Sequence, residues 1–139
     1  RGVAAAFMLG AVGVQLGTRF LVAKECGVHQ NYKNKVLKAN DIATMTTGKR
    51  LGHPVRSIKN PYTKEYFRLE YSSISDEELE AYGRGALRRA AVEGDEKTGC
   101  FLAGQIAGMV NREQPAKEII EEIFREAEDV LNGATKWVK

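Results

Sequence analysis

Gly10-Ala11-Val12-Gly13-Val14-Gln15-Leu16-Gly17-Thr18-Arg19-Phe20 is the stretch on which the fold turns. Val14 and Leu16 are strand formers with no charge beside them, as in a parallel strand covered on both faces. Gly17 carries no Cβ, so a ligand can approach its backbone closely and torsions closed to other residues are open to it. Thr18 brings a hydroxyl and a backbone N–H without a partner to a helix start, where donors and dipole favour an anion. A strand ending in Gly-Thr just where a helix begins is how a (β/α) barrel holds a phosphate, in the loops after its last two strands. The competing reading is an ordinary strand-to-helix turn with Thr18 as its N-cap.

Upstream, residues 1–9 read as a helix without its beginning, so the chain is expected to be the last part of a larger enzyme. Arg1 and the apolar run Val3-Ala4-Ala5-Ala6-Phe7-Met8-Leu9 also resemble a secretory signal. Gly10, Gly13, Gln15 and Gly17 break that run, and no small-x-small cleavage site follows it.

The 139 residues suffice for one domain, and 43% hydrophobic with 28% charged residues is the balance of a soluble globular protein. No run is long and apolar enough to span a bilayer. A formal net charge of +3 is too small to argue for nucleic acid. Basic residues gather at Lys33, Lys35, Lys38, Lys49, Arg50, Arg56, Lys59 and Lys64, as a solvated face or as a surface for an acidic partner. Cys26 and Cys100 are far apart and lack metal-ligand spacing, so no metal site is expected and a reduced, cytoplasmic protein is the simpler inference.

Downstream, Tyr32, Val36 and Leu37 mark a polar helix with a narrow apolar stripe, and residues 42–47 alternate as a short strand. His53-Pro54 forces an extended entry into a second strand at Val55-Arg56-Ser57-Ile58, which Asn60-Pro61 ends. Ser75 and Glu78 have capping-box spacing, opening a helix whose face carries Leu79, Tyr82, Ala86, Leu87, Ala90 and Ala91, with Gly94-Asp95 as its stop. A final helix has Pro115 in its first turn, Ile119, Ile120, Ile123, Phe124, Ala127, Val130 and Leu131 at helical spacing, and Gly133 at its end. Between them, residues 99–108 are almost wholly small or apolar around a central Gln105. A buried amide there needs partners, since leaving it unpaired costs on the order of 1–3 kcal/mol. Gln105 therefore either bonds neighbouring backbone at a packed helix start or faces a cofactor or substrate.

Four segments together carry a family resemblance: the Ala-rich start after Arg1-Gly2, Gly10-Ala11 through Phe20, Gly52-His53-Pro54-Val55-Arg56-Ser57-Ile58-Lys59-Asn60, and Ala103-Gly104-Gln105-Ile106-Ala107-Gly108. In this order they resemble the C-terminal part of the FabK-type, flavin-dependent enoyl-acyl-carrier-protein reductases. These belong with the nitronate monooxygenases (2-nitropropane dioxygenase-like proteins) in one FMN-binding barrel family. Nitronate monooxygenases tend to a Gly-Arg-Pro-Ala-Arg run where this chain has Gly52-His53-Pro54-Val55-Arg56, which favours the reductase.

The resemblance implies an α/β fold, the C-terminal portion of a TIM (β/α)8 barrel with a smaller, mainly helical second domain. Residues 1–22 would be the last helix-strand unit of the barrel, 23–98 the smaller domain over its mouth, and 99–139 the return to the flavin and a C-terminal helix. Gly17 and Thr18 would hold the FMN phosphate. Leu102, Ala103, Gly104 and Gln105 would contact substrate, Leu102 with apolar surface for the acyl chain and Gln105 with a polar contact near the ring. The implied reaction is NAD(P)H-dependent reduction of trans-2-enoyl-acyl-carrier-protein in fatty acid elongation, with FMN as cofactor, NADH as co-substrate, acyl carrier protein as partner and a homodimer as the possible assembly. The alternatives are a nitronate monooxygenase and a non-catalytic module that holds an acidic partner. The family's catalytic histidine, in a Gly-Gly-His segment, has no counterpart here, and His29 and His53 read as loop or second-domain residues. By itself this polypeptide is expected to lack reductase activity and to hold FMN weakly.

Overall fold

The computed structural model describes residues 1–134 and 136, so Thr135 and residues 137–139 of the expected third segment lie outside the described residues. Helix α1 (Gly2–Met8) packs on the long C-terminal helix α6 (Ala116–Ala134), with Phe7 stacked on Phe124 at 6.2 Å. The expected strand at residues 14–16 is not formed: the segment is non-regular, and Val14 and Leu16 are left partly in solvent. A parallel strand exists only through hydrogen bonds to neighbours, and no segment among the described residues pairs with this one. A 3-10 turn (Thr18–Val22) follows directly, leading to α2 (Gln30–Leu37), which His29 caps by accepting from the Asn31 N–H through Nδ1 at 3.1 Å.

Both expected strands are present as β1 (Thr44–Thr47) and β2 (Val55–Ile58), an antiparallel pair in which Thr44 faces Ile58 and Thr46 faces Arg56. Residues 101–103 extend this ribbon. The Ile58 N–H donates to the Phe101 carbonyl at 2.8 Å and the Ala103 N–H to the Arg56 carbonyl at 3.1 Å, so part of the apolar 99–108 segment is an edge chain and not a helix start. Beyond it, a second 3-10 turn (Gln105–Met109) seats Gly108 against the backbone of Asn40 and Asp41, where a Cβ would come within 2.7 Å of the Asn40 carbonyl carbon. Gly108 thus serves a loop contact inside the chain.

Asn60-Pro61 does more than end β2. Asn60 opens α3 (Pro61–Glu70), accepting from the Thr63 N–H at 2.9 Å while Thr63 Oγ1 accepts from the Asn60 N–H at 3.1 Å. Ser75 and Glu78 form the expected reciprocal box at the start of α4 (Asp76–Gly83). The expected single helix is divided: Gly85, at φ +75°, turns the chain before α5 (Ala86–Ala91), a left-handed conformation that costs other residues a steric clash. α6 begins after Pro115 and runs through Gly133, and the exposure of Ile120, Phe124 and Val130 shows that its apolar stripe is only partly covered.

Two apolar clusters hold these elements. Val22, Tyr32, Val36, Ile58, Ala90, Phe101, Ala103, Ala107 and Val110 form one, centred on the fully buried Phe101. Tyr62, Tyr66, Leu79, Ala86 and Cys100 form the other. Burial raises the Cys100 thiol above its ordinary value, which makes it a core residue and not a nucleophile. No helix among the described residues is long and apolar enough to cross a membrane.

Candidate functional site

The two stretches singled out as site segments meet, through a contact between residues 86 apart in the chain. Thr18 Oγ1 accepts a hydrogen bond from the Gly104 N–H at 2.9 Å, tying the first 3-10 turn to the edge chain. Gly17, Thr18, Leu102, Ala103 and Gly104 then line one cavity of about 430 Å³, with Leu21, Tyr32, Arg56 and Leu87 completing its wall. Gln105 stands outside this wall and is exposed, so its amide is neither buried nor part of the lining. The expectation of an enclosed Gln fails because the 3-10 turn directs Ala107, not Gln105, into the core.

Each polar group of the wall is positioned by the fold. Because Thr18 uses its oxygen as an acceptor, its hydroxyl proton is left to donate. The first bond of its turn runs from the Phe20 N–H to the Gly17 carbonyl at 2.9 Å, so the earlier N–H groups of the turn have no partner within it. Tyr32 donates its hydroxyl to the Leu102 carbonyl at 2.7 Å, and burial raises its pKa, keeping it a protonated strut for the edge chain. Arg56 reaches along the ribbon to donate from Nη1 to Thr44 Oγ1 at 3.2 Å. Gly17 sits at φ −103° and an added Cβ there would meet nothing within 4 Å, so neither torsion nor crowding inside the chain demands glycine.

The wall therefore contains one guanidinium, two hydroxyls and backbone donors, with no carboxylate among its residues. That donor set suits an anionic group such as a phosphate ester and disfavours a cation. Sequence reasoning passed over Tyr32 and Arg56 as wall residues. For Arg56 a signal existed: residues 42–64 contain five Lys or Arg and no Asp or Glu, so this cation has no acidic neighbour along the chain.

The basic cluster is not one solvated face. Lys33 is only 4% exposed, with Nζ donating to the Ala23 carbonyl at 2.7 Å and paired with Glu113 at 2.9 Å. Arg50 is tied to Asp76 at 2.7 Å and to the Ser72 and Ile74 carbonyls. Lys35 pairs with Glu96 at 2.9 Å and lies 5.2 Å from the Phe101 ring centroid. Lys35, Lys38 and Lys59, with Glu96 beside them, nevertheless border a second groove of about 260 Å³ lined also by Ala39, Ala43 and Ile58.

Comparison with known proteins finds a match to the family described as nitronate monooxygenase over residues 1–126. Among relatives, a probable nitronate monooxygenase of Staphylococcus saprophyticus is 31% identical over 133 residues, covering 95% of this chain and 37% of the relative. One from Bacillus subtilis is 29% identical over 126 residues, covering 91% and 36%. Among solved structures, FabK from Thermotoga maritima superposes with a TM-score of 0.94 at 40% identity, over 99% of this chain and 44% of that one. The nitroalkane oxidase of Streptomyces ansochromogenes superposes with a TM-score of 0.75 at 26% identity, over 95% and 37%. The chain thus spans less than half the length of the proteins it matches.

Proposed function

This chain belongs to the nitronate monooxygenase family, and from that membership we propose that it is the C-terminal part of an FMN-dependent oxidoreductase that uses NADH to reduce trans-2-enoyl thioesters of acyl carrier protein. The observation that carries the proposal is the convergence of Gly17-Thr18 and Leu102-Ala103-Gly104 on one cavity free of carboxylates. The closer likeness to FabK than to nitroalkane oxidase, in both identity and superposition, supports the reductase among the family's activities. On this reading residues 1–22 complete a barrel, and the segment at 14–16 becomes a strand when barrel neighbours flank it.

The cavity fits the phosphate of FMN. Thr18 would donate its hydroxyl, and the open N–H groups at Gly17 and Thr18 would add backbone donors, with the missing Cβ of Gly17 leaving room for close approach. When bound, FMN supplies the hydride chemistry between NADH and the enoyl β-carbon. This chain's residues orient the thioester. Leu102 and Leu87 offer apolar surface to the acyl chain, and Tyr32 fixes the Leu102 backbone that presents it. Gln105, being exposed, would contact substrate at the rim. The acidic carrier would be received at the groove bordered by Lys35, Lys38 and Lys59, with the buried Lys33 holding α2 in place and not steering the partner.

A nitronate monooxygenase is the second reading, favoured by the names of the relatives. The test is the full-length, FMN-loaded protein that carries this chain. NADH oxidation that depends on an enoyl thioester supports the reductase, whereas oxygen uptake that depends on a nitronate, without enoyl-dependent NADH oxidation, replaces it.

A further inference from the structure

Arg56 is a cavity-wall residue to which no contact with the flavin phosphate has been assigned. Arg56 lines the same cavity as Thr18, on the wall formed by β2 and the edge chain, and its one described side-chain hydrogen bond goes to a neutral hydroxyl, Thr44 Oγ1 at 3.2 Å. Among the described residues it has no carboxylate within salt-bridge distance, and no other Lys or Arg lines this cavity. The Thr44 bond uses one of its five N–H donors and aligns the planar fork along the ribbon. A partly buried arginine, tethered to Thr44 and sharing its cavity with apolar Leu87, Leu102 and Ala103, with no anion supplied by the protein, is a site arranged for an anion brought by a ligand.

We propose that Arg56 binds a phosphate-ester anion of a co-substrate, at a position separate from the flavin phosphate assigned to Gly17 and Thr18. This rests on the reading of the cavity as a flavin site. Two co-substrates of the proposed reaction carry such an anion, the pyrophosphate of the dinucleotide and the phosphodiester of a pantetheine-linked thioester, and the shared chemistry is bidentate recognition of phosphate oxygens by the fork.

The experiment uses the full-length, FMN-loaded protein as wild type, Arg56→Gln, Arg56→Lys and Thr44→Val. Calorimetric binding of NADH and of coenzyme A is measured beside KM and kcat for NADH, crotonyl-coenzyme A and the phosphate-free crotonyl-N-acetylcysteamine. Loss of a charge-assisted pair predicts that Arg56→Gln weakens one phosphate-bearing ligand on the order of tenfold or more. The KM for the phosphate-free thioester does not rise in parallel, Arg56→Lys recovers part of the loss, and Thr44→Val, which removes the tether and keeps the charge, has a smaller effect. A change confined to NADH identifies the dinucleotide as the source, and one confined to coenzyme A identifies the pantetheine arm. Equal weakening of the phosphate-free thioester, or unchanged binding of both phosphate ligands, overturns the proposal. Loss of FMN from Arg56→Gln would hand the guanidinium to the flavin phosphate and likewise overturn it. If the wild type binds these ligands but turns over no enoyl thioester, the reductase reading fails while the Arg56 comparison by calorimetry still decides the anion site.

Discussion

Thr18 and Lys33 show how much a single side chain carries in this chain. Thr18 joins two segments that only the fold makes neighbours, so Thr18→Val removes the acceptor for the Gly104 N–H while keeping the shape. We expect a loss of about 1 kcal/mol in denaturant unfolding, together with weaker FMN retention in the full-length protein. Lys33→Ala strands the Ala23 carbonyl and leaves Glu113 without its cation, with an expected cost on the order of 2–3 kcal/mol, against almost none for Lys38→Ala at the groove edge. Parallel urea titrations of the two variants check this; equal midpoints would mean that Lys33 is not the clamp its burial implies. The same pair sets a pH dependence. Hydrogen bonds from Lys33 and then Gln30 hold the Glu113 carboxyl below its ordinary value of 4.5. A depressed folded-state pKa contributes stability that is fully present above the ordinary value and lost as pH falls through the lower, folded value. Melting temperatures of Glu113→Gln should therefore fall less steeply than wild type below about pH 4.5.

At the scale of elements, two helix starts of the same design differ in consequence. Ser75 caps α4 at the surface, whereas Asn60 is buried, caps α3, and also donates from Nδ2 to the Gly99 carbonyl at 2.7 Å and the Glu96 carbonyl at 3.1 Å. Ser75→Ala should cost about 1 kcal/mol, and Asn60→Ala about 2–3 kcal/mol, because buried acceptors lose their donor as well as the helix its cap. Thermal unfolding of the two variants side by side gives the comparison. The Ser75-Glu78 box was legible because it is a local pattern with a local purpose. The Asn60 cap was equally local, yet the Pro after it reads first as the end of a strand, and a Pro that ends one element is also suited to the first turn of the next. Gly85 was passed over for a related reason: the apolar face continues across it from Leu79 to Ala90, and periodicity does not register a single left-handed residue.

For the whole molecule, the surface around Val3, Val14, Leu16, Ile106, Met109 and Ile123 is a largely apolar hollow of about 520 Å³, and Met8, Leu9 and Val12 are exposed as well. Apolar surface of this kind drives association. The 139-residue polypeptide by itself is expected to self-associate at micromolar concentration and to bind a hydrophobic dye, as sedimentation velocity and dye fluorescence would show; a monodisperse, dye-silent monomer would mean that the patch is too dispersed to act. The sequence alone settled what depends on near neighbours: α1, α2, the β1 and β2 strands, the Ser75 box and the long last helix. It also carried the family resemblance, through motifs whose order needs no coordinates. Only the tertiary structure decided that Thr18 meets Gly104, that Arg56 and Tyr32 stand in the same wall, that Gln105 faces out and that Lys33 is buried. Composition and periodicity report which residues prefer water or a helix face. Which distant segments close on one another is set by pairing and packing across the chain, as when residues 101–103 take the edge of β2 and draw the loop at Gly104 onto Thr18.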